Sequence, residues 1–221
     1  MPDPSEIRVG VIRIEGTNCE DESAAAFSSL GCNVEKVHLK QLLGDVEKSN
    51  CRNLMDYDAL YFPGGFSSGD YIRAGAIFAS RVKSGLKSQV DEYINDGRPV
   101  LGVCNGFQIL VERGALPGTD SGTTKAPNAV LHTNDSSRFE ARHVHLRVES
   151  KSQSFFTKNY ESNQVLSVPN AHAEGKLMMD QSQFEELEKN NQIAFRYCDK
   201  DGQLNPGYPW NPNGVAHDIA G

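Results

Sequence analysis

The sequence predicts an α/β fold built on a mostly parallel sheet with helices on both faces. Three observations predict it: short apolar runs and helical periodicities alternate four times in the first half; glycines stand where those elements stop; and no apolar run approaches the roughly 18 residues that a membrane span needs. The first run, IRVGVIRI over 7–14, reads as a strand, and Thr17-Asn18-Cys19-Glu20 after it has the Thr-x-x-Glu form of a capping box. The helix that follows carries Ala24, Phe27 and Leu30 at helical spacing and stops at Gly31. A second strand is expected over 33–39. Leu42, Leu43, Val46 and Leu54 then read as packing residues of a less regular stretch, and DALYF over 58–62 reads as strand three, broken by Pro63-Gly64-Gly65. Val82, Leu86, Val90, Tyr93 and Ile94 recur at steps of three and four, which predicts one helix ended by Gly97. Strand four is expected over 98–103, followed by a helix holding Phe107, Ile109, Leu110 and Val111 and closing at Gly114.

From about Ala115 the texture changes. A polar loop, GTDSGTTKAPN, leads into 139–149, where Arg142, Val144, Leu146 and Val148 alternate with Ala141, His143, His145 and Arg147. Such alternation suits antiparallel or edge strands with one solvated face, so a small antiparallel extension is expected. A strand over 165–168, a helix over about 182–190 and a strand over 193–197 complete the reading. There is no internal repeat and no low-complexity tract, so 1–221 is read as a single domain, a size that can bury one sizeable core.

Composition narrows the function. The 22 Lys and Arg against 29 Asp and Glu give a formal net charge of −7, with no basic block, which is not the footprint of a nucleic-acid binder. Neither a membrane nor a nucleic acid is expected as partner. The start, Met-Pro-Asp-Pro-Ser-Glu, has no basic or apolar leader region, and the expected compartment is the cytoplasm. Five cysteines, with no CxxC pair and no zinc spacing, point to reduced thiols rather than to a disulfide framework or a metal site.

Gly102-Val103-Cys104-Asn105-Gly106 stands where strand four turns into a helix, a nucleophile elbow with Cys in place of Ser. Its small neighbours let backbone and substrate approach, and the helix start offers N–H groups and a positive dipole end that lower a thiol pKa and hold an oxyanion. Cys104 is therefore the candidate nucleophile, while Cys19, Cys32, Cys51 and Cys198 read as inert packing residues. Strand ends of a parallel sheet converge on one crevice, so the Gly64-Gly65 turn is placed to join the Asn105 N–H in a two-donor oxyanion hole. Gln108, one turn after Cys104, is placed to hydrogen-bond an amide or carboxylate. A thiol needs a base oriented by a third group, and His172-Ala173-Glu174 is the one His-x-Glu; in an extended segment both side chains face one side. His38, His132, His143, His145 and His217 read as structural or solvated.

These residues resemble the class I glutamine amidotransferases, and within them the glutaminase subunits of phosphoribosylformylglycinamidine synthase. The resemblance runs along nearly the whole chain, through Glu15-Gly16-Thr17-Asn18-Cys19, Phe62-Pro63-Gly64-Gly65-Phe66-Ser67, Gly69-Asp70-Tyr71-Ile72-Arg73-Ala74-Gly75-Ala76, the elbow with Phe107-Gln108, Ala171-His172-Ala173-Glu174-Gly175 and Asn211-Pro212-Asn213-Gly214. It implies a flavodoxin-like amidotransferase domain that hydrolyses L-glutamine through a thioester on Cys104. Gly65 and Asn105 would supply the oxyanion hole, and Gln108 and Gly64 would contact glutamine. The ammonia would pass to a separate synthetase subunit, assembled with or without a small bridging subunit, which converts formylglycinamide ribonucleotide to formylglycinamidine ribonucleotide in purine biosynthesis. ATP and magnesium belong to that partner by the same resemblance, and no cofactor or metal is expected in this chain.

One departure stands out. The family's catalytic pair resembles a His-Pro-Glu some tens of residues beyond the Asn-Pro-Asn-Gly stretch, and no His-Pro-Glu occurs here, so a C-terminal segment is expected to be absent. His172 and Glu174 match a different motif, near the site or the subunit contact, and stand as an alternative base pair. Two further readings stay open: a non-catalytic binding or assembly module of the same fold, and another elbow-cysteine hydrolase, against which Gln108 and the Gly-Gly turn speak.

Overall fold

The structure, a computed structural model, describes residues 3–118, 127–149, 152 and 154–221. They group into two compact units, Met1–Pro127 and Asn128–Gly221, and the division falls near the change of texture in the sequence. Most of the polar loop expected over 118–128 lies outside the described residues.

The first unit is a four-stranded parallel sheet in the order β2-β1-β3-β4, formed by β1 (Arg8–Arg13), β2 (Asn33–His38), β3 (Ala59–Phe62) and β4 (Val100–Gly102). The helices are α1 (Glu20–Ser29), α2 (Leu39–Leu43), α3 (Ala76–Gly85), α4 (Lys87–Asn95) and α5 (Asn105–Arg113). β1 reads as an apolar run because Val9 through Ile12 are all buried, as befits a strand of a sheet covered on both faces. Its core joins Ile12, Val37, Leu60 and Phe62 of the sheet to Phe78, Val82, Val90, Tyr93, Ile109 and Leu110 of the helices.

Three local expectations are corrected. The capping box does not form: Thr17 Oγ1 accepts the Ile14 N–H at 3.2 Å, Thr17 bridges Gly65, and α1 starts only at Glu20 without a side-chain cap. Its first turn instead carries Glu20, Asp21 and Glu22, whose charges favour the positive end of the helix dipole. The single helix expected up to Gly97 is two, α3 and α4, separated at Leu86 (φ −124°, ψ 10°). A Cβ on Gly85 would lie 2.1 Å from Leu43 Cδ2, so the space at the joint is filled by a side chain from α2's end. The stretch after β2 is also more regular than expected, since α2 carries a capping box between His38 and Gln41 and ends at Gly44 in the left-handed region.

The second unit has two antiparallel sheets. One pairs β5 (Ala129–Thr133) with β8 (Glu174–Met179); the other has the order β7-β6-β9, from β6 (Glu140–Val148), β7 (Val165–His172) and β9 (Phe195–Cys198). The alternation in β6 is borne out, with Val144 and Val148 buried. β7 runs four residues further than the sequence predicts and takes in Pro169, and β5 and β8 are not predicted at all. α6 (Gln181–Lys189) packs Phe184 and Leu187 inward and is capped at Asp180 by a box with Gln183.

Glycine is required where β3 and β4 end. A Cβ on Gly106 would lie 1.8 Å from the Phe62 carbonyl oxygen, and one on Gly102 would lie 2.5 Å from the Gly106 oxygen. By contrast, Gly97 has φ +71° but nothing within 4 Å of its would-be Cβ. Gly106→Ala is expected to destabilise the protein by about 3 kcal/mol or more through backbone displacement, and Gly97→Ala by only about 1 kcal/mol from its left-handed φ. Urea unfolding of the two variants checks this, and equal midpoints would contradict it.

Candidate active site

Cys104 stands between β4 and α5 as the N-cap residue of the helix, with φ 52° and ψ −112°. That lies outside the ordinary regions for an L-residue, and such strain persists only where the surroundings fix it. Here the fixing groups are the first turn of α5, where Gln108 N–H donates to Cys104 O at 3.1 Å, and the close passage of Gly106 along Phe62. The strand-to-helix turn expected from the glycines is the one observed.

Two backbone N–H groups, from Asn105 and from Gly65, hydrogen-bond the Cys104 sulfur. They come from separate segments, the helix start and the turn after β3, and converge on one sulfur. Gly65 holds φ 127°, and its would-be Cβ would lie 2.6 Å from Asn18 N, so no side chain fits there. Gly64 floors the crevice, with its would-be Cβ 3.3 Å from Cys104 Cβ and 3.6 Å from Cys19 Sγ. Cys19, read from the sequence as inert, therefore lines the same crevice. Its thiol is pushed up, chiefly by burial and then by the charge of Glu22.

The expected lowering of the Cys104 thiol is not what the structure gives. Loss of solvation around the sulfur pushes it up and outweighs the two N–H donors, and the Asp70 carboxylate adds to the rise. The donors are present, but the walls that bring them close also reduce solvation of the sulfur, although Cys104 as a residue stays exposed to solvent.

Around Cys104 lies a buried polar network that the sequence did not reveal. Asn105, 1% exposed, accepts at Oδ1 from Ser67 N–H (3.2 Å) and Ser67 Oγ (2.5 Å). Its Nδ2 donates to Asp70 Oδ1 at 3.1 Å and to Gln108 Oε1 at 2.9 Å. Gln108 is thus where the sequence places it, one turn beyond Cys104, but it is buried and its Oε1 is engaged by Asn105. Gly75 brings the network's far wall close, since its would-be Cβ would meet Ile109 N at 2.9 Å. The one signal for this network was the Gly69–Ala76 run, whose Asp70 and Gly75 have these jobs.

His172 and Glu174 lie in the second unit, and the expectation that they share one face of a single extended segment does not hold. Ala173 separates two strands in two sheets: His172 ends β7 opposite Glu140, and Glu174 opens β8 opposite Thr133. The His172 ring lies over Gly175, whose would-be Cβ is 2.4 Å from its Cε1, and its Nδ1 is 2.9 Å from Asn134 Oδ1. Asn134 Nδ2 donates to Arg138 O and His172 O, which leaves Oδ1 as the acceptor and Nδ1 as the protonated nitrogen of His172. Burial lowers the His172 pKa, favouring the neutral ring. Nε2 then carries a lone pair that is buried with no hydrogen-bond partner among the described residues. Among the other histidines, His38 caps α2, His145 packs on Trp210 and His217 stacks on Phe184.

Among the described residues, no group of three or more His, Cys, Asp or Glu side chains is placed to hold a metal ion, and no helix is long and apolar enough to cross a membrane.

Comparison with known proteins agrees with this geometry. Residues 6–221 match the family model of the CobB/CobQ-like glutamine amidotransferase domain. The phosphoribosylformylglycinamidine synthase subunit PurQ of Archaeoglobus fulgidus is 51% identical over 99% of this chain and 82% of its own length. The subunit of the same name from Methanococcus maripaludis strain C7 is 41% identical over 93% of this chain and 72% of its own length. Among solved structures, one titled as the structure of PurLQS from Thermotoga maritima superimposes with a TM-score of 0.70 at 26% identity, covering 96% of this chain and 79% of the matched one. With a cysteine elbow at the end of a parallel sheet and these likenesses along its length, the chain belongs to the CobB/CobQ-like glutamine amidotransferases, in the branch that holds the PurQ subunits of phosphoribosylformylglycinamidine synthase.

Proposed function

We propose that this chain hydrolyses L-glutamine through a γ-glutamyl thioester on Cys104 and delivers the ammonia to a synthetase partner, which uses ATP and magnesium to convert formylglycinamide ribonucleotide to formylglycinamidine ribonucleotide. The observation that carries the reading is the convergence of the Gly65 and Asn105 N–H groups on the sulfur of an elbow cysteine. Before reaction they face the sulfur. When sulfur attacks the side-chain amide carbon of glutamine, the carbonyl oxygen becomes an anion beside that sulfur, within reach of the same donors. Collapse expels ammonia, whose nitrogen takes up a proton, and leaves the thioester; water then adds to the thioester carbon and releases glutamate and the thiol. Gly64 gives the substrate amide room to lie against the crevice floor, and Gln108, one helical turn on, acts behind it through its bond to Asn105.

A base must take the thiol proton, and His38, the one histidine of the first unit, is not placed to do so. It ends β2, at the opposite edge of the sheet from β4, roughly 14 Å away across three strand spacings. Of the alternative pair, His172 has the tautomer that a base requires, with Nε2 unprotonated. The reading includes a small bridging subunit as a possible third member of the complex, on the strength of the likeness to a PurLQS assembly.

Three measurements test this. Mass spectrometry after exposure to the glutamine analogue 6-diazo-5-oxo-norleucine, with and without the synthetase, is expected to show one adduct on the wild-type chain and none on Cys104→Ala. Glutamine hydrolysis that survives in Cys104→Ala would overturn the reading, and no adduct under either condition would favour a non-catalytic module of the same fold. Gly65→Ala, which drives a Cβ toward Asn18 N, is expected to lower kcat about 100-fold or more by displacing one oxyanion donor, with KM little changed. An unaltered kcat would remove Gly65 from the oxyanion hole. Finally, a thiol whose pKa is raised holds less thiolate at neutral pH, so alkylation of Cys104 by iodoacetamide in the free chain should climb with pH and reach half its maximum above the ordinary thiol value of about 8.5. A midpoint below pH 8 would show that burial does not dominate.

A further inference from the structure

The side chain of Asn105 offers two donors and two acceptor positions, and all four are used inside the protein. Three of its four bonds go to one segment: Oδ1 takes both polar hydrogens of Ser67, and Nδ2 reaches Asp70. From the first of those anchors to the second, the backbone resists its own conformation. Ser68, Gly69 and Asp70 have φ of 52°, 67° and 50°, three successive left-handed residues of which only glycine is at ease. That segment continues directly from Gly65, which supplies one of the two donors at the sulfur, while Asn105 itself supplies the other. On its outer side the turn is fastened to the loop between β1 and α1, by Phe66 N–H on Asn18 Oδ1 at 3.0 Å and Ser68 N–H on Glu15 O at 2.8 Å. Those bonds locate the turn relative to that loop, whereas the Asn105 bonds locate it relative to α5.

We infer that the Asn105 side chain is a positioning residue for catalysis: by clamping Ser67 and Asp70 it holds the Gly65 turn in register with the nucleophile elbow, so that two N–H groups from separate segments meet one oxyanion. The inference rests on the glutaminase reading of Cys104. An oxyanion hole depends on donors fixed before charge develops, and a displacement of about 1 Å is enough to lose much of its benefit. A residue at this place that merely filled space would need neither an amide nor the opposed donor and acceptor it presents to Asp70 and Ser67. Gln108 belongs to the same clamp, because its Oε1 receives the second Nδ2 hydrogen and so orients the amide plane.

The test uses the full chain with its synthetase partner, measuring glutamine hydrolysis. Asn105→Ala is expected to lower kcat about 30-fold or more while KM stays within about threefold, because the donors act on the transition state more than on bound glutamine. Since Asn105→Ala could weaken folding, a second comparison reverses the polarity of one bond. Asn105→Asp keeps the acceptor for Ser67 but sets a carboxylate against Asp70, and should depress kcat as strongly. Adding Asp70→Asn restores a donor and acceptor across that bond and should recover kcat at least tenfold over Asn105→Asp alone. A kcat for Asn105→Ala within threefold of wild type, or a double variant no better than Asn105→Asp, would overturn the clamp while leaving the glutaminase reading intact. A wild-type chain that turns over no glutamine in the complex would instead sink the reading on which the clamp rests, before any variant is compared.

Discussion

The first turn of α5 passes the end of β3 backbone to backbone, and the site is organised around that approach. The Phe62 carbonyl oxygen receives the Val103 N–H at 3.1 Å and occupies the volume into which a Cβ of residue 106 would project. Were α5 to start any further from β3, Cys104 could relax out of its unfavourable φ and ψ, and the Gly65 N–H would no longer reach its sulfur. Gly102, Gly106 and Gly64 are thus less about flexibility than about thinness: each removes a methyl group that would hold two backbones apart. Gly75 does the same on the far side of α5, where it meets Ile109 N.

The same closeness explains the electrostatics. Packing two donors against one sulfur also reduces its solvation, even though Cys104 remains open to solvent, and the second effect is the larger, so the thiol pKa is raised above that of a free cysteine. Asp70, which completes the Asn105 network, adds a negative charge in the same direction. On the proposed reading, the crevice favours the oxyanion that forms during reaction over the thiolate that precedes it. That is the balance suited to a nucleophile that gains its charge only when a proton acceptor and a substrate are both in place.

Much of the first unit was legible because its signals are local. A β-branched run such as Ile7 to Ile14, a glycine at the end of a helix, and a cysteine flanked by two glycines each report on a few neighbouring residues, and all three led to the right element. The failures are equally physical. Thr17 has the sequence of an N-cap, but its hydroxyl is drawn to Ile14 and its backbone to Gly65, a partner 48 positions away. The break between α3 and α4 follows from Leu43 lying against Gly85, which no periodicity reports. β5 and β8 pair across more than 40 residues, and segments as short as Ala129–Thr133 give little alternation to read. In the site, Cys104, Gly65 and Asn105 could be named from turn chemistry, whereas Ser67 and Asp70 join Asn105 across 38 and 35 positions and become neighbours only once the sheet has formed.

The backbone of Cys104 has a consequence for how such a protein persists over generations. A residue held at φ 52° and ψ −112° costs on the order of 1–3 kcal/mol, and a glycine in its place would be free of most of that cost. Loss of the thiol by that route would thus leave a chain that folds more firmly than its parent. On the proposed reading, stability alone would steer copies of this sequence towards inactivity, and a side chain at position 104 survives only while its chemistry is under selection.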